Sequence, residues 1–542
     1  MTLGLGSIFG KTLRDSRVAI IVVTALLGLM VLAGGGSMVT TYGTPETRLE
    51  LAALSRDTPP VLRGFYGNPV NVDTMGGFIT WHYGAYFALI GGLWSILALS
   101  STLAAEARRG SLDLIAVTPR SRRRVAIQKV AGHVVAVAGV MTIVGLLAWA
   151  TGAVFATMPG DGVTPEAAAS FALGLGIRVL AAGSIAFALA SLIGRGAAAG
   201  IAGAIMVAGY VVYGYRTVVP AFDSIAGLTW WSWTAGHLPL AGTVDWPGVA
   251  LAAAVVTVLL ALGVETFVRR DIGVTIAIPS PALPATVLGV RGPLARAFGE
   301  LLPGATWWAV GLAVYGALMA YASLALLDMF ESSPELAAVF RTMIPGLDIT
   351  TSAGFLQLAF ADLGFVMFGL AATTFVAARW SDESSGRLEL QLTTTLTRAR
   401  WVIANGSALC LATAVITVVL GVTIGAGVAS VGQDPVTPAT GTLVLGLYGI
   451  ALAGVGMAAG GILGPSAATP IVGAVAIGTF LLDTLAPILR LPDWVAQMAL
   501  TTHLGEPMVG TWDLAGVAAC LVLAVGGIAA GAWGLSRRDV TD

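Results

Sequence analysis

Four histidines, two cysteines and a scatter of carboxylates are the residues from which any catalytic or metal chemistry in this chain would have to be built. His82, His133, His237 and His503 lie in four separate segments. They are scattered over different segments, so a metal site built from them is not expected. The patterns H-E-x-x-H and G-x-S-x-G are absent, which removes the zinc-protease and elbow-type hydrolase readings. GSIFGKT at 6–12 comes close to a phosphate loop, but that loop needs G-x-x-x-x-G-K-T after a strand. Leu5 stands where its first glycine belongs. The plainer reading is an amphipathic interfacial helix, with Ile8, Phe9 and Leu13 toward lipid and Lys11 and Arg14 toward headgroups. No cofactor is expected on this chain; if ATP is used, another chain binds it.

The elements that position these residues follow from composition. Of 542 residues 56% are hydrophobic and 11% charged, and the formal net charge is -1. Mean hydropathy is +0.87. So few charges cannot cover so much apolar surface in water, so the solvent is lipid. A near-neutral chain also lacks the surplus of positive charge that nucleic acid would need. Cys410 and Cys520 each fall inside an apolar run and read as small buried side chains. A bilayer core of about 30 Å takes about 20 apolar residues in helix. Twelve runs qualify: roughly 18–38, 80–104, 131–156, 169–193, 197–215, 249–268, 307–327, 353–378, 402–428, 441–463, 468–489 and 514–535. The first could pass for a signal peptide, but it lacks a small-x-small cleavage site and reads as a retained helix.

Lys and Arg resist translocation and so mark the cytoplasmic side. They gather at the N-terminus, at 108–129, at Arg195, at 269–296, at 379–400 and at Arg537 and Arg538. With twelve spans all of these fall on one side, and both termini are expected in the cytoplasm. The opposite loops carry Glu46, Glu50, Asp57, Asp73, Asp161, Glu166, Asp328, Glu331, Glu335, Asp434 and Glu506.

The same landmarks occur twice in the same order. FGKTL at 9–13 matches FGELL at 298–302, GSLDLIAVT at 110–118 matches GRLELQLTT at 386–394, His237-Leu238 matches His503-Leu504, and RRD at 269–271 matches RRD at 537–539. The expected architecture is therefore an all-α polytopic membrane protein of two parallel six-helix repeats. The first unit is 1–271, the second 297–542, and the linker 272–296 contains Pro279, Pro281, Pro284 and Pro293, which interrupt helix.

The charged stretch EARRGSLDLIAVTPRSRRR at 106–124 lies between the second and third spans of its repeat, and ESSGRLELQLTTTLTRAR at 383–400 occupies the corresponding place in the other. Leu112, Leu114 and Ile115, or Leu388, Leu390 and Leu392, alternate with polar residues. Such an element can rest its apolar side chains on the bundle and show Asp113 or Glu389 and the arginines to the cytoplasm. The plainer reading is a loop that only anchors topology, although the repeated acid and glycine exceed what topology requires.

The pattern from Glu106 to Lys129 resembles the cytoplasmic coupling segment of ABC type-2 exporter permeases. The fused twelve-helix arrangement is similar to the polyketide-antibiotic (tetronasin-type) branch of that family. That resemblance implies a coupling helix fitted to a separate ATPase, formed by Glu106, Arg108, Arg109, Gly110, Leu112, Asp113, Leu114, Thr118 and Pro119, and by Glu383, Gly386, Leu388, Glu389 and Leu390. It implies two ATPase copies that bind ATP and Mg, a bacterial cytoplasmic (inner) membrane, and export of apolar or amphiphilic small molecules such as drugs or polyketide antibiotics. The second copy departs from the pattern: Thr395 replaces Pro119, Asn405 replaces Lys129, and Glu383 is one residue closer to its glycine.

Arg178, Asp362 and Asp483 fall within apolar runs, where a charge costs a few kcal/mol. Two readings stand side by side, snorkelling to the outer headgroups and lining an exit path. Trp230, Trp231 and Trp233 read as interfacial anchors or as part of short re-entrant elements. The rival function is a secondary transporter driven by an ion gradient, which would want ionisable residues at the bilayer midplane and a G-x-x-x-D-R-x-G-type loop.

Overall fold

The computed structural model describes residues 7–56, 63–64, 66–102, 121–217, 219–269, 292–332, 348–488 and 492–540. The chain divides into two compact units, Met1–Ile278 and Pro279–Asp542. Most of the expected linker, and the whole of 106–119, lie outside the described residues.

The first unit opens with α1 (Ile8–Asp15), α2 (Arg17–Thr40) and α3 (Pro45–Arg56), followed by α4 (Met75–Thr102), α5 (Arg122–Val154), α6 (Pro165–Ile193) and α7 (Arg195–Gly214). Two short helices, α8 (Pro220–Ala226) and α9 (Trp230–Trp233), precede α10 (Trp246–Arg269). In α1, Ser7 Oγ accepts from Gly10 N at 3.1 Å and caps the helix. Ile8 turns into the protein, buried with Leu99, Val125, Phe187, Val264 and Phe267, while Phe9 and Leu13 are half-buried. That corrects the expectation that Ile8 faces lipid, while Lys11 and Arg14 stay exposed. α6 packs against α4, α5, α7 and α10 and forms the middle of the unit.

The second unit opens with α11 (Pro293–Ser332). α12 (Ser352–Leu356) runs through a π-helical turn, Gln357–Ala361, into α13 (Asp362–Ser384), so the three form one continuous rod. There follow α14 (Arg387–Leu392), α15 (Arg398–Ser430), α16 (Val436–Leu463), α17 (Pro465–Ile488), α18 (Asp493–Ala496), the hairpin β1 (Gly505–Glu506) and β2 (Thr511–Trp512), and α19 (Leu514–Arg537). α16 occupies the middle here, as α6 does in the first unit, and each is the fourth long helix of its unit. Each ends at a glycine of positive φ, Gly194 at 82° and Gly464 at 99°, and the next helix starts one residue later. α16 and α19 touch backbone to backbone: a Cβ on Gly461 would lie 2.2 Å from the Gly531 carbonyl oxygen. Small residues permit such approach where lipid supplies no hydrophobic drive.

Among the described residues eleven helices are long and apolar enough to cross a membrane, and they coincide with eleven of the twelve expected spans. The run at 468–489 coincides with α17, of which Pro465–Phe480 is apolar but short. The seventh expected span differs most. Hydropathy marks 307–327, whereas α11 has 40 residues and, at 1.5 Å per residue, is about 60 Å long. The amphipathic FGELLPG continues the helix without enough apolar residues to show as a span, and Pro303 sits inside it.

Candidate functional site

At the arginine-rich end of the second unit, α13 ends in a turn that Gly386 makes possible with φ 71°. α14 then packs back beneath the bundle. Because α14 is a helix, residues two apart point in nearly opposite directions. Leu388 is fully buried and Leu390 is 71% exposed. The reading of alternating leucines that all rest on the bundle is thus corrected: one leucine roots the helix, and Leu390 stands out beside the exposed Glu389. The root is reinforced by polar bonds. Trp401 Nε1 donates to Gln391 Oε1 at 2.9 Å, Gln391 Nε2 donates to Asp382 Oδ2 at 3.1 Å, and Arg387 pairs with Asp382 at 3.2 Å. A push on α14 therefore reaches α13 and α15 through hydrogen bonds as well as through packing.

Glu383 does not face outward. It is 1% exposed and accepts both Nη groups of Arg538, one of them at 2.6 Å. Arg538 also donates to the carbonyl oxygens of Gly461 at 2.9 Å and Gly460 at 3.0 Å, and its own carbonyl accepts from Arg398 at 2.7 Å. The second RRD motif is thereby explained in part: its middle arginine clasps the end of α13 to the ends of α16 and α19. A bidentate pair whose spare donors are all used is the arrangement in which a buried ion pair is tolerated. The first copy of the segment, with Glu106, Arg108, Arg109, Gly110, Leu112, Asp113, Leu114, Thr118 and Pro119, lies outside the described residues.

The three charges within apolar runs separate. Arg178, on α6, turns inward instead of snorkelling: Nε donates to Thr234 Oγ1 at 2.9 Å, and Nη2 donates to the carbonyls of Thr234 and His237, the latter at 3.1 Å. It holds the loop between α9 and α10 in place. Within that loop His237 is 3% exposed, donates from Nε2 to the Ser170 carbonyl at 3.1 Å and accepts from Asp245 N at Nδ1, 3.3 Å away. Burial holds its imidazole below the ordinary range, against the hydrogen bond to Ser170. Trp230 and Trp231 are buried in the same place, and Trp231 Nε1 donates to the Met206 carbonyl at 3.1 Å. Asp483, on α17, accepts from the Thr501 hydroxyl. Asp362 alone is exposed within its unit, at the exit of the π-helical turn. Asp483 lies near enough to Asp362 for the two charges to interact.

His133 is an ordinary core residue, 1% exposed, with Nε2 at 2.9 Å from Ser95 Oγ. No group of three metal-ligating side chains occurs among the described residues.

One buried pair escaped sequence reasoning. Arg48, on α3, and Asp161, between α5 and α6, are 4% and 0% exposed and bond to each other by two nitrogens, one contact at 2.9 Å. Arg48 also donates to the carbonyls of Tyr42 at 2.9 Å and Asp73 at 3.1 Å. Asp161 also accepts from the amides of Thr157 at 3.1 Å, Met158 at 3.0 Å and Met75 at 3.3 Å. Burial opposes the carboxylate's charge, but the Arg48 bonds and backbone amides prevail and hold its pKa below the usual range. The only signal in the sequence was a basic residue among the acidic loops opposite the arginine-rich end.

Residues 290–535 match the family model described as the C-terminal domain of the multidrug efflux system permease Rv1217c. No curated protein matches the chain.

Proposed function

We propose that the chain is the membrane-spanning permease of an ATP-driven exporter, which extrudes apolar or amphiphilic small molecules while a separate ATPase hydrolyses ATP. The observation that carries this reading is the match of 290–535 to a multidrug efflux permease model, on a chain whose described residues include eleven membrane-length apolar helices. The form of α14 supports a separate motor. It is a short helix tied to two long ones, with an apolar side chain, Leu390, and a carboxylate, Glu389, left outward. A hydrophobic anchor ringed by charge is what a docking cleft recognises. In this reading the arginine-rich face is cytoplasmic, the membrane is the bacterial inner membrane, and two ATPase copies dock, one beneath each repeat. Force arriving at α14 passes through Gln391 and Asp382 into α13 and α15, and through Glu383 and Arg538 into α19.

The test is reconstitution with the partner ATPase in liposomes. The chain alone is expected to turn over no ATP, and the complex to show drug-stimulated hydrolysis and export. Leu390→Arg is expected to reduce the stimulated rate at least about tenfold at unchanged expression, since it removes an exposed anchor and nothing from the fold. Export sustained by an ion gradient without ATP would replace this reading with the secondary transporter.

A further inference from the structure

The second unit contains a cavity of ≈ 340 Å³ at its arginine-rich end, bounded by the start of α11, the end of α13 and the turn between α14 and α15. Its lining is polar and unbalanced in charge. Arg296, Arg379 and Arg400 face Glu300 and Asp382. Glu300 is shared by Arg296 at 3.0 Å and Arg379 at 2.7 Å, and Asp382 is already paired with Arg387 at 3.2 Å. The Arg400 guanidinium therefore has no carboxylate among the described residues. Arg379 has a side chain only 7% exposed, and its Nε is buried without a hydrogen-bond partner. A buried guanidinium donor left unmatched beside a cavity is costly unless an acceptor enters.

Two helices begin at this cavity, α11 through Gly292 and Pro293 and α15 through Leu396, Arg400 and Trp401. Their first-turn amides and dipoles add positive potential. The helical spacing of α11 then carries the face of Arg296 and Glu300 onward through Trp307, Val310 and Val314, which are 72%, 45% and 65% exposed within the unit. A polar, cationic cup thus stands at the foot of an apolar stripe on one helix.

We propose that this cavity binds the phosphate of a membrane phospholipid, whose acyl chains lie along α11. A phosphodiester carries one negative charge, which matches Arg400, whose guanidinium has no carboxylate among the described residues, and its oxygens supply an acceptor for Arg379 Nε, which is buried and meets them once that side chain shifts toward the cavity. Thr394 and Thr395 also line the cavity, so the headgroup fastens the turn that ends α14. The inference concerns this chain alone and does not depend on the exporter reading.

The experiment is titration of the purified, delipidated full chain in nonionic detergent with dihexanoyl phosphatidylglycerol, read by calorimetry, with inorganic phosphate as a parallel titrant. Saturable binding near one lipid per cavity is expected, with inorganic phosphate much weaker because it gains nothing from the stripe. Arg400→Gln, an exposed residue whose loss leaves the fold intact, is expected to weaken lipid binding about tenfold. Arg379→Gln is expected to weaken it at least as much, and Arg537→Gln, at the same end but outside the cavity, is expected to change nothing. Absence of saturable binding, or equal affinities for the Arg400 and Arg537 variants, overturns the site. Inorganic phosphate binding as tightly as the lipid overturns the lipid assignment.

Discussion

The segment that leads into the last helix is constructed twice, and the two constructions agree in backbone while they differ in side-chain chemistry. In the first unit a bridge between Leu238 and Thr243 closes over a 3-10 turn, Pro239–Ala241, and turns at Gly242 with φ 84°. In the second, Glu506 pairs with Thr511 over Pro507–Val509 and turns at Gly510 with φ 81°. Three residues after that glycine in each unit, Asp245 caps with Gly248 N at 3.1 Å and Asp513 with Ala515 N at 2.8 Å. These equivalences pair Pro239 with Pro507, two residues away from the His-Leu alignment that the sequence alone offered. The tethers are unlike: a cation from the fourth helix, Arg178, holds one loop, and an anion from the fifth, Asp483, touches the other. The two loops share their backbone geometry and differ in the sign of the charge that meets them.

The largest expected effect tests whether the tethers differ in weight as well as in sign. Arg178→Met removes three charge-assisted hydrogen bonds to Thr234 and His237, each worth about 1.5–3 kcal/mol, and takes the donor from the buried His237 carbonyl, while the Thr234 carbonyl keeps the His237 amide at 3.2 Å. A loss of about 4 kcal/mol is expected, seen as a large fall in Tm of the purified chain. Asp483→Asn keeps an acceptor for the Thr501 hydroxyl and should cost under about 1 kcal/mol. Equal falls would show that the two loops are held alike and would end the comparison.

Sequence resolved the helices well because membrane spans announce themselves by length and apolarity. It did not resolve α11 below Thr306, where the helix leaves the apolar stretch, nor the π-turn before Asp362, which nothing in QLAFA marks. For the site, the acid, glycine and leucines of 383–390 were legible as a unit, and Gly386 proved a turn residue. Their directions were not. Whether Leu390 lies in or out depends on strand or helix, and six residues carry too little periodicity to decide. Partners were least legible of all: Glu383 with Arg538 and Arg48 with Asp161 are separated by 155 and 113 residues, and an isolated charge in a sequence does not name its counterion.

A second contrast sharpens the first. Among the described residues the first unit has its buried ion pair at the end opposite the arginines, Arg48 with Asp161, and the second has its own at the arginine-rich end, Glu383 with Arg538. Removing Asp161 leaves Arg48 buried and unpaired, so Asp161→Asn is expected to cost about 3 kcal/mol at neutral pH. Asp161 has a folded pKa below its unfolded value. Its contribution is therefore complete above the unfolded value of about 3.9 and disappears as pH falls through the lower folded one. The Tm gap between the native chain and Asp161→Asn should thus hold steady from pH 7 to about 5 and close in stronger acid. A gap that widens with acid would show that the pair is not held as an ion pair.

The smallest expected effect concerns the element the two units share. Gly242 and Gly510 both sit in the left-handed region, where a Cβ costs an L residue about 1–2 kcal/mol. Space differs: a Cβ on Gly242 would meet only Asn71 Nδ2 at an ordinary 3.8 Å, whereas one on Gly510 would meet Thr437 Cγ2 at a tight 3.2 Å, which the threonine side chain must relieve by a few tenths of an ångström. Each Gly→Ala change should lower stability by about 1 kcal/mol, the two agreeing within about 0.5 kcal/mol. Gly→Asn should recover part of the loss at both sites, since asparagine tolerates this conformation better than alanine. Because backbone strain is independent of which charge holds the loop, the cost at Gly242 should stay the same in an Arg178→Lys background. If that background instead changed it by 1 kcal/mol or so, turn and tether would be one coupled device, and the separation of shared backbone from exchangeable side chain would fail at its simplest position.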